Sequence, residues 1–308
     1  MILLVSLNLA IERIVRVPRV APGGVMRGPL VARHASAKGV NAARALAALG
    51  EPRVILGAVG GLPGELIERE LEAEGIPLAP VRIGGESRTC MVLLEAGRAD
   101  QTVINEVGPE LTEGEVAETV SMYQELLERA QMVLVMGSLP AGAPPDLYAR
   151  FIEDARAAGR PVLLDASGDP LACGVRARPD GVKINAAEAS AWFGRPLTDA
   201  REAMDAADRL VDAGVGAAMV TLGARGAVLS SRESRLFYRA PGIEAVNCVG
   251  SGDAALAGLA VGLLRGEPLD QAGALSVATG TASALHGAGR CTAEEIASML
   301  PRVRCQPF

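Results

Sequence analysis

One stretch of the chain combines residue types that handle phosphate and protons together. It is Asn247-Cys248-Val249-Gly250-Ser251-Gly252-Asp253, followed by the small apolar run Ala254-Ala255-Leu256-Ala257-Gly258. Glycines two residues apart let the backbone turn tightly and approach a ligand. A helix that starts near Gly252 leaves its first N–H groups unpaired, with the positive end of its dipole outward. That is an anion site, most often a phosphate site. An acid at that point, Asp253, is placed to take a proton from a hydroxyl while the amides of residues 250–253 hold a phosphoryl group. Two plainer readings compete. Aspartate caps helices well, and Gly250-x-Gly252-x-x-Ala255 matches the dinucleotide fingerprint. That fingerprint belongs to the first strand-to-helix turn of a nucleotide-binding unit, and this stretch comes near the end of the chain.

Similar loops recur earlier. Gly137-Ser138-Leu139-Pro140, Lys183-Ile184-Asn185-Ala186-Ala187-Glu188 and Thr221-Leu222-Gly223-Ala224-Arg225-Gly226 each end an apolar, strand-like run. Open α/β sheets bind ligands at the carboxyl ends of their strands. Four such loops in succession therefore favour a phosphate-handling site. No G-x-x-x-x-G-K-[ST] pattern occurs, which disfavours a P-loop nucleotidase. Lysine usage is also selective. Of 30 basic residues only Lys38 and Lys183 are lysines, so each is a candidate for a role that arginine does not fill.

The elements that must position these residues follow from periodicity. Residues 1–8 read as a buried strand. Residues 14–17 and 30–33 read as short, half-exposed strands of a flap. Lys38-Gly39-Val40-Asn41 opens a helix over 42–49, closed by Gly50. A strand at 53–59, a loop at 60–64 and a helix at 65–74 follow. Strands are predicted at 76–83, 89–94 and 102–105, some of which join the flap. From Thr112 helices (113–129, 145–158, 186–193, 199–213) alternate with strands (132–136, 161–165, 180–184, 217–222), which implies a parallel sheet with both faces covered. A hairpin (226–230, 235–239) and apolar helices at 252–265, 269–286 and 292–299 complete the chain.

Composition narrows the function class. The 308 residues are 49% hydrophobic and 21% charged, enough for one large α/β domain. A net charge of −6 and only one Trp, three Tyr and four Phe argue against nucleic-acid binding. Five cysteines without a C-x-x-C pair, and two histidines, His34 and His286, argue against a zinc site. The odd cysteine count and the absence of a basic leader point to the cytoplasm, and no apolar run is long enough for a membrane span.

Taken together, the motifs resemble those of the ribokinase-like, pfkB family of carbohydrate kinases, most closely its 1-phosphofructokinase and tagatose-6-phosphate kinase branch. The resemblance runs through Leu7-Asn8-x-Ala10-Ile11, Lys38-Gly39-Val40-Asn41-x-Ala43-Arg44 and Gly85-Glu86-Ser87-Arg88-Thr89-Cys90. It continues through Ile104-Asn105-Glu106-x-Gly108-Pro109, Gly137-Ser138-Leu139-Pro140 and Val249-Gly250-Ser251-Gly252-Asp253, in the family's order. It implies a mostly parallel α/β sheet flanked by helices, in a single domain spanning 1–308. A small β-sheet lid would come from segments 9–36 and 84–108 and often forms a homodimer contact. It implies ATP and Mg²⁺, and a sugar or sugar-phosphate acceptor such as fructose 1-phosphate, fructose 6-phosphate or tagatose 6-phosphate. Asp253 matches the catalytic base, with Gly250, Ser251 and Gly252 holding the transferred group. Asn185 and Glu188 match an N-x-x-E that places the metal. Lys183, Thr221, Gly223 and Gly226 match nucleotide positions. Glu12, Arg27, Lys38, Gly39, Asn41, Arg88 and Ser138 fall on the sugar side, with Arg88 matching an arginine that binds the substrate's own phosphate.

The departures from the family pattern cluster on that sugar side. Glu12 stands where Asp is usual and is expected to reach further into the pocket. Ser36-Ala37 replaces Gly-Gly, and Leu9 replaces a common proline. Val25 takes the place of a phosphate-binding lysine, for which Arg27 is expected to compensate. Ser283 replaces an asparagine near the adenine. The alternatives are a kinase for an unphosphorylated sugar or nucleoside, and a sugar-phosphate-binding protein without turnover.

Overall fold

A computed structural model describes residues 1–97 and 101–308; residues 98–100 of the expected lid segment lie outside the described residues. The first half of the chain runs β1 (Ile2–Asn8), β2 (Ala10–Val17), β3 (Leu30–Ser36), α1 (Lys38–Ala48), β4 (Arg53–Val59), α2 (Gly61–Ala73), β5 (Leu78–Arg82), β6 (Arg88–Glu95), β7 (Gln101–Asn105), α3 (Glu113–Leu127) and β8 (Met132–Met136). It continues through α4 (Leu147–Ala157), β9 (Val162–Asp165), α5 (Gly168–Arg176), β10 (Gly181–Asn185), α6 (Ala186–Phe193), α7 (Ala200–Asp212) and β11 (Ala217–Thr221). The chain closes with β12 (Ala227–Ser231), β13 (Arg235–Arg239), α8 (Ser251–Leu264), α9 (Leu269–Ser283), α10 (Ala293–Met299) and β14 (Arg304–Pro307).

Ten strands form one sheet in the order β14-β13-β12-β11-β10-β9-β8-β1-β4-β5. It is parallel from β5 to β11 and antiparallel beyond. Alternation along β1 explains why it reads as a continuous apolar run. Leu3, Val5 and Leu7 pack on one face with Tyr123, Tyr148 and Phe151 of α3 and α4. Ile2 and Leu4 pack on the other with apolar residues of α1, α8 and α9. Each fully buried aliphatic side chain contributes about 1.5–3 kcal/mol. Helices α8 and α9 approach so closely that a Cβ on Gly258 would lie 2.7 Å from Leu275 O. The small-residue run after Asp253 is thus a helix-packing surface. Among the described residues, no helix is long and apolar enough to cross a membrane.

Four strands, β3-β2-β6-β7, form a separate small sheet. Its rows matter for the site. Ser36, Ala10 and Arg88 share the row nearest the ends of β1 and α1, and His34, Glu12 and Cys90 share a row further out.

Several boundaries differ from expectation. Helix α1 begins at Lys38 itself. Helix α2 begins at Gly61, although Gly60-Gly61-Leu62-Pro63-Gly64 reads as a loop; Pro63 sits in the first turn, where its missing N–H costs nothing. Strand β5 pairs with β4 in the large sheet, and only β6 and β7 join the flap strands. Helix α5 has no counterpart in the sequence reading because Gly168, Pro170 and Gly174 lower its propensity. Strand β14 is a four-residue exposed edge with too little pattern to detect.

Candidate active site

Parallel strands deliver their carboxyl ends to one edge. Asn8 ends β1, Asp165 ends β9, Lys183 and Asn185 lie at the end of β10, and Thr221 ends β11. Register sets Asn185 opposite Thr221 and Leu164 opposite Val182, which brings Asp165 beside Lys183. The amino-terminal turn of α1 supplies Lys38, Gly39 and Asn41 to this edge, and that of α8 supplies Ser251, Gly252 and Asp253.

Asp253 is 7% exposed, and Asn41 Nδ2 donates to its Oδ2 at 2.9 Å. Gly250 precedes the helix with φ +81°, and a Cβ there would come within 2.5 Å of Gly289 N. Only glycine satisfies both constraints. The first helical bond runs from Ala254 N–H to Gly250 O at 2.9 Å, while Ser251 N–H turns back to Cys248 O. The amides of Gly252 and Asp253 therefore stand at the helix mouth. Ser251 Oγ is buried without a partner among the described residues. Burial pushes the Asp253 carboxyl from its ordinary 3.8 up to about 6; Lys183 pulls it down, Asp165 pushes it up, and Lys38 and Asn41 pull it down. A carboxylate tuned to that range is a competent general base near neutral pH.

Both lysines of the chain meet here. Lys183, 2% exposed, pairs with Asp165 and donates to Gly252 O at 3.1 Å. Lys38 Nζ bridges Asp165 Oδ1 at 2.6 Å and Glu188 Oε1 at 2.7 Å. Burial opposes the charge on Lys38, but Asp165, Glu188 and Asp253 outweigh it and hold the ammonium above its ordinary range. Asp165 is fully buried. Burial works against its charge too, yet the two lysines outweigh that and hold its carboxyl below the usual range. A compact ammonium with three donors suits such converging carboxylates better than a planar guanidinium.

Asn185 and Glu188 form a capping box at α6: each backbone N–H donates to the other's side-chain oxygen at 2.9 Å. Glu188 thus uses one oxygen on the cap and the other on Lys38. Thr221 Oγ1 reaches Ile184 O at 3.5 Å. Gly223 has open space around it, while Gly226 closes the following turn through its amide on Gly223 O. The open helix mouth, the unpartnered Ser251 hydroxyl, two ammonium groups and the oxygen donors of Asn185 and Glu188 fit a nucleotide triphosphate with Mg²⁺.

The sugar side rests on the small sheet. Arg88 donates to Asn8 O through Nε (3.3 Å) and Nη2 (3.1 Å), and to Glu106 O through Nη1 (3.3 Å). Of five guanidinium donors this leaves two for a ligand among the described residues. Among the described residues, Arg88 is the one cation lining an adjacent cavity of about 370 Å³, beside Ser87, Thr89, Glu106 and Gly108. Asn8 Nδ2 donates to Ser138 Oγ at 3.0 Å and Val107 O at 3.2 Å, and its Oδ1 is buried without a partner among the described residues. Gly39 N–H donates to Ser6 Oγ at 3.2 Å.

Four placements depart from expectation, the first being Lys38, which was expected on the sugar side and stands between Asp165 and Glu188. Glu12 does not extend freely; it is buried, 3.4 Å from Ser36 Oγ and 3.1 Å from Nε2 of His34, a residue with no role in the sequence reading. The serine that replaces glycine therefore holds the longer acid. Arg27 is not brought to the sugar side of its own chain. It lies in an exposed segment leaving the far end of β2, where Arg16 N–H donates to Pro29 O, about 20 Å of strand from Ala10. Val25, in the same segment, is 81% exposed.

Asp165, Asn8 and Arg44 belong to the cluster and are not among the site residues expected from sequence. Asp165 had a signal: it is the lone acid closing the apolar strand Val162-Leu163-Leu164. Asn8 likewise closes β1, and Arg44 was visible only as a motif position.

The profile of the pfkB family carbohydrate kinases matches residues 1–295. The chain belongs to the pfkB family of carbohydrate kinases. It is 36% identical over 264 residues to a 1-phosphofructokinase of Xanthomonas campestris pv. campestris, covering 84% of this chain and 83% of that one. Among solved structures it resembles phosphofructokinase-2 from Escherichia coli in complex with potassium, with a TM-score of 0.89, 25% identity and 98% of each chain covered. It shares its fold with a possible 1-phosphofructokinase from Thermotoga maritima, at a TM-score of 0.90 and 22% identity over 100% and 99% of the two chains. The chain is accordingly a sugar kinase, a transferase with an alcohol group as acceptor, and the ribokinase-like α/β fold read from its motifs is the fold it has.

Proposed function

We propose that this chain transfers the γ-phosphoryl group of ATP to a hydroxyl of a phosphorylated ketohexose: fructose 1-phosphate, fructose 6-phosphate or tagatose 6-phosphate. The observation that carries this reading is Asp253, buried at the mouth of α8 with amides, Lys183 and Lys38 around it. Asp253 takes the proton of the acceptor hydroxyl. The hydroxyl oxygen then bonds to the γ-phosphorus as the bond to the departing ADP oxygen breaks. The amides of Gly252 and Asp253, the Ser251 hydroxyl and Lys183 stabilise the transferring group. Asn185 and Glu188 would hold Mg²⁺, which would supply charge neutralisation at the nucleotide phosphates. Arg88, with two donors to spare, supports a phosphorylated acceptor, as does the similarity to proteins named phosphofructokinases. The small sheet acts as the lid, excluding water when sugar is held.

Asp253→Asn tests the base. ADP release dependent on sugar should fall about a thousandfold, with sugar-phosphate binding retained; unchanged turnover overturns the assignment. The same variant carries a stability prediction. The folded carboxyl titrates near 6 and the unfolded one near 3.8, so the folded chain holds its proton more tightly and stability falls as pH rises through that window. Asn removes this cost, and the variant should melt above the wild type at pH 8.

Exposed apolar residues of the small sheet, among them Leu30, Val31, Val103 and Ile104, support a homodimer through the lid. Sedimentation velocity should then find a wild-type dimer and an Ile104→Asp monomer. A wild-type monomer at micromolar concentration contradicts the dimer.

A further inference from the structure

Arg44 lies one turn after Asn41 on α1 and is buried. A guanidinium carries five N–H donors and no acceptor. Here all five are used. Nε and Nη2 grip Glu74 at 2.6 and 2.8 Å, and Nη2 also reaches Ala35 O at 2.8 Å. Nη1 reaches Ala288 O at 3.2 Å and Asn41 Oδ1 at 3.3 Å. Glu74 is held ionised: burial opposes its charge, but the bonds and charge of Arg44, then Arg290 and His34, outweigh it.

The Asn41 carboxamide has two ends, a donor and an acceptor. Because Arg44 offers donors only, the atom facing it is the oxygen. The nitrogen is thereby turned to the opposite side, where it donates to Asp253 Oδ2 at 2.9 Å. A flipped carboxamide would set its oxygen against the carboxylate, acceptor on acceptor, and its NH₂ against the guanidinium. The geometry points to Arg44 as a positioning residue for Asp253, acting through Asn41 to keep a donor against the carboxylate oxygen. Its link to catalysis rests on Asp253 being the base, as proposed above. Lysine cannot substitute, since three donors on a flexible stem do not reach Glu74 and Asn41 in one plane. The other charged groups facing Asp253 are Lys38 on α1, Asp165 on β9 and Lys183 on β10, and none of them touches Arg44.

The test is a carbon-13 NMR titration of the Asp253 carboxyl in the ligand-free protein, alongside the pH profile of kcat/KM with ATP and sugar phosphate. A donor stabilises the ionised form, so its loss raises the midpoint. Arg44→Lys and Asn41→Ala should each raise it by roughly one unit, and Arg44→Lys should add nothing in the Asn41→Ala background. The acid limb of kcat/KM should move with it. A midpoint unmoved by Arg44→Lys, or a shift that persists undiminished without Asn41, overturns the positioning role. Should Arg44→Lys not fold, Glu74→Gln loosens the same guanidinium from its far side. A smaller upward shift then supports the role, and an unmoved midpoint contradicts it. If the NMR midpoint moves while the activity limb stays, the positioning of the carboxylate stands and it is the base assignment of Asp253 that fails.

Discussion

The two ends of the site are held by different physics. At the base end, Asp165, Lys38, Lys183 and Glu188 are buried or half-buried charges that fix one another beside Asp253, each standing on the end of a strand of the large sheet or the first turn of a helix packed on it. At the sugar end, Arg88 is tied to main-chain carbonyls and Glu12 to Ser36 and His34, on a small sheet of four strands. Charges that hold one another in a low-dielectric interior tolerate little change, because removing one leaves the rest uncompensated. A separate sheet can change its contacts without disturbing that cluster. Of the departures from the family pattern, Glu12, Ser36-Ala37 and Val25 fall on the small sheet, on its turn into α1 or on the loop between β2 and β3, whereas Ser283 ends α9.

This contrast is open to attack from both sides. The largest effect should come from Asp165→Asn. It strips the shared partner from two lysines and should cost about 3–5 kcal/mol of stability, read by urea denaturation, with turnover falling alongside. A variant as stable as the wild type would mean that the base end is not held by mutual charge. Arg88→Met should be milder and should separate the two ends. Losing charge-assisted bonds to a phosphate should raise KM for a phosphorylated acceptor roughly 10- to 100-fold, while the melting temperature and ATP affinity stay near the wild type. A fall in stability equal to that of Asp165→Asn would erase the contrast.

Much of the base end was legible in the sequence because its chemistry is local. Gly250-Ser251-Gly252-Asp253 and Asn185-x-x-Glu188 each act within one turn, and the scarcity of lysine drew attention to Lys38 and Lys183 before any geometry. Asp165 was only faintly legible, since a lone acid closing an apolar strand gains its meaning when the register places it between two lysines. The parallel sheet was readable from alternation alone, whereas α5 was hidden by its glycines and proline. At the sugar end the limit was long-range pairing. That His34 would stand opposite Glu12, and Arg27 at the remote end of β2, depends on how β2 pairs with β3, and no local pattern records that.

A base end that serves a phosphorylated acceptor is the core of the proposed function. Its most direct test is kcat/KM from ADP release with ATP and Mg²⁺ across fructose 1-phosphate, fructose 6-phosphate, tagatose 6-phosphate, fructose, ribose and adenosine. One of the three sugar phosphates should exceed every unphosphorylated compound by about 100-fold or more, the contribution expected of an arginine reading a phosphate. Turnover of fructose, ribose or adenosine with none on the sugar phosphates would contradict the claim. So would silence on every compound while ATP and a sugar phosphate still bind.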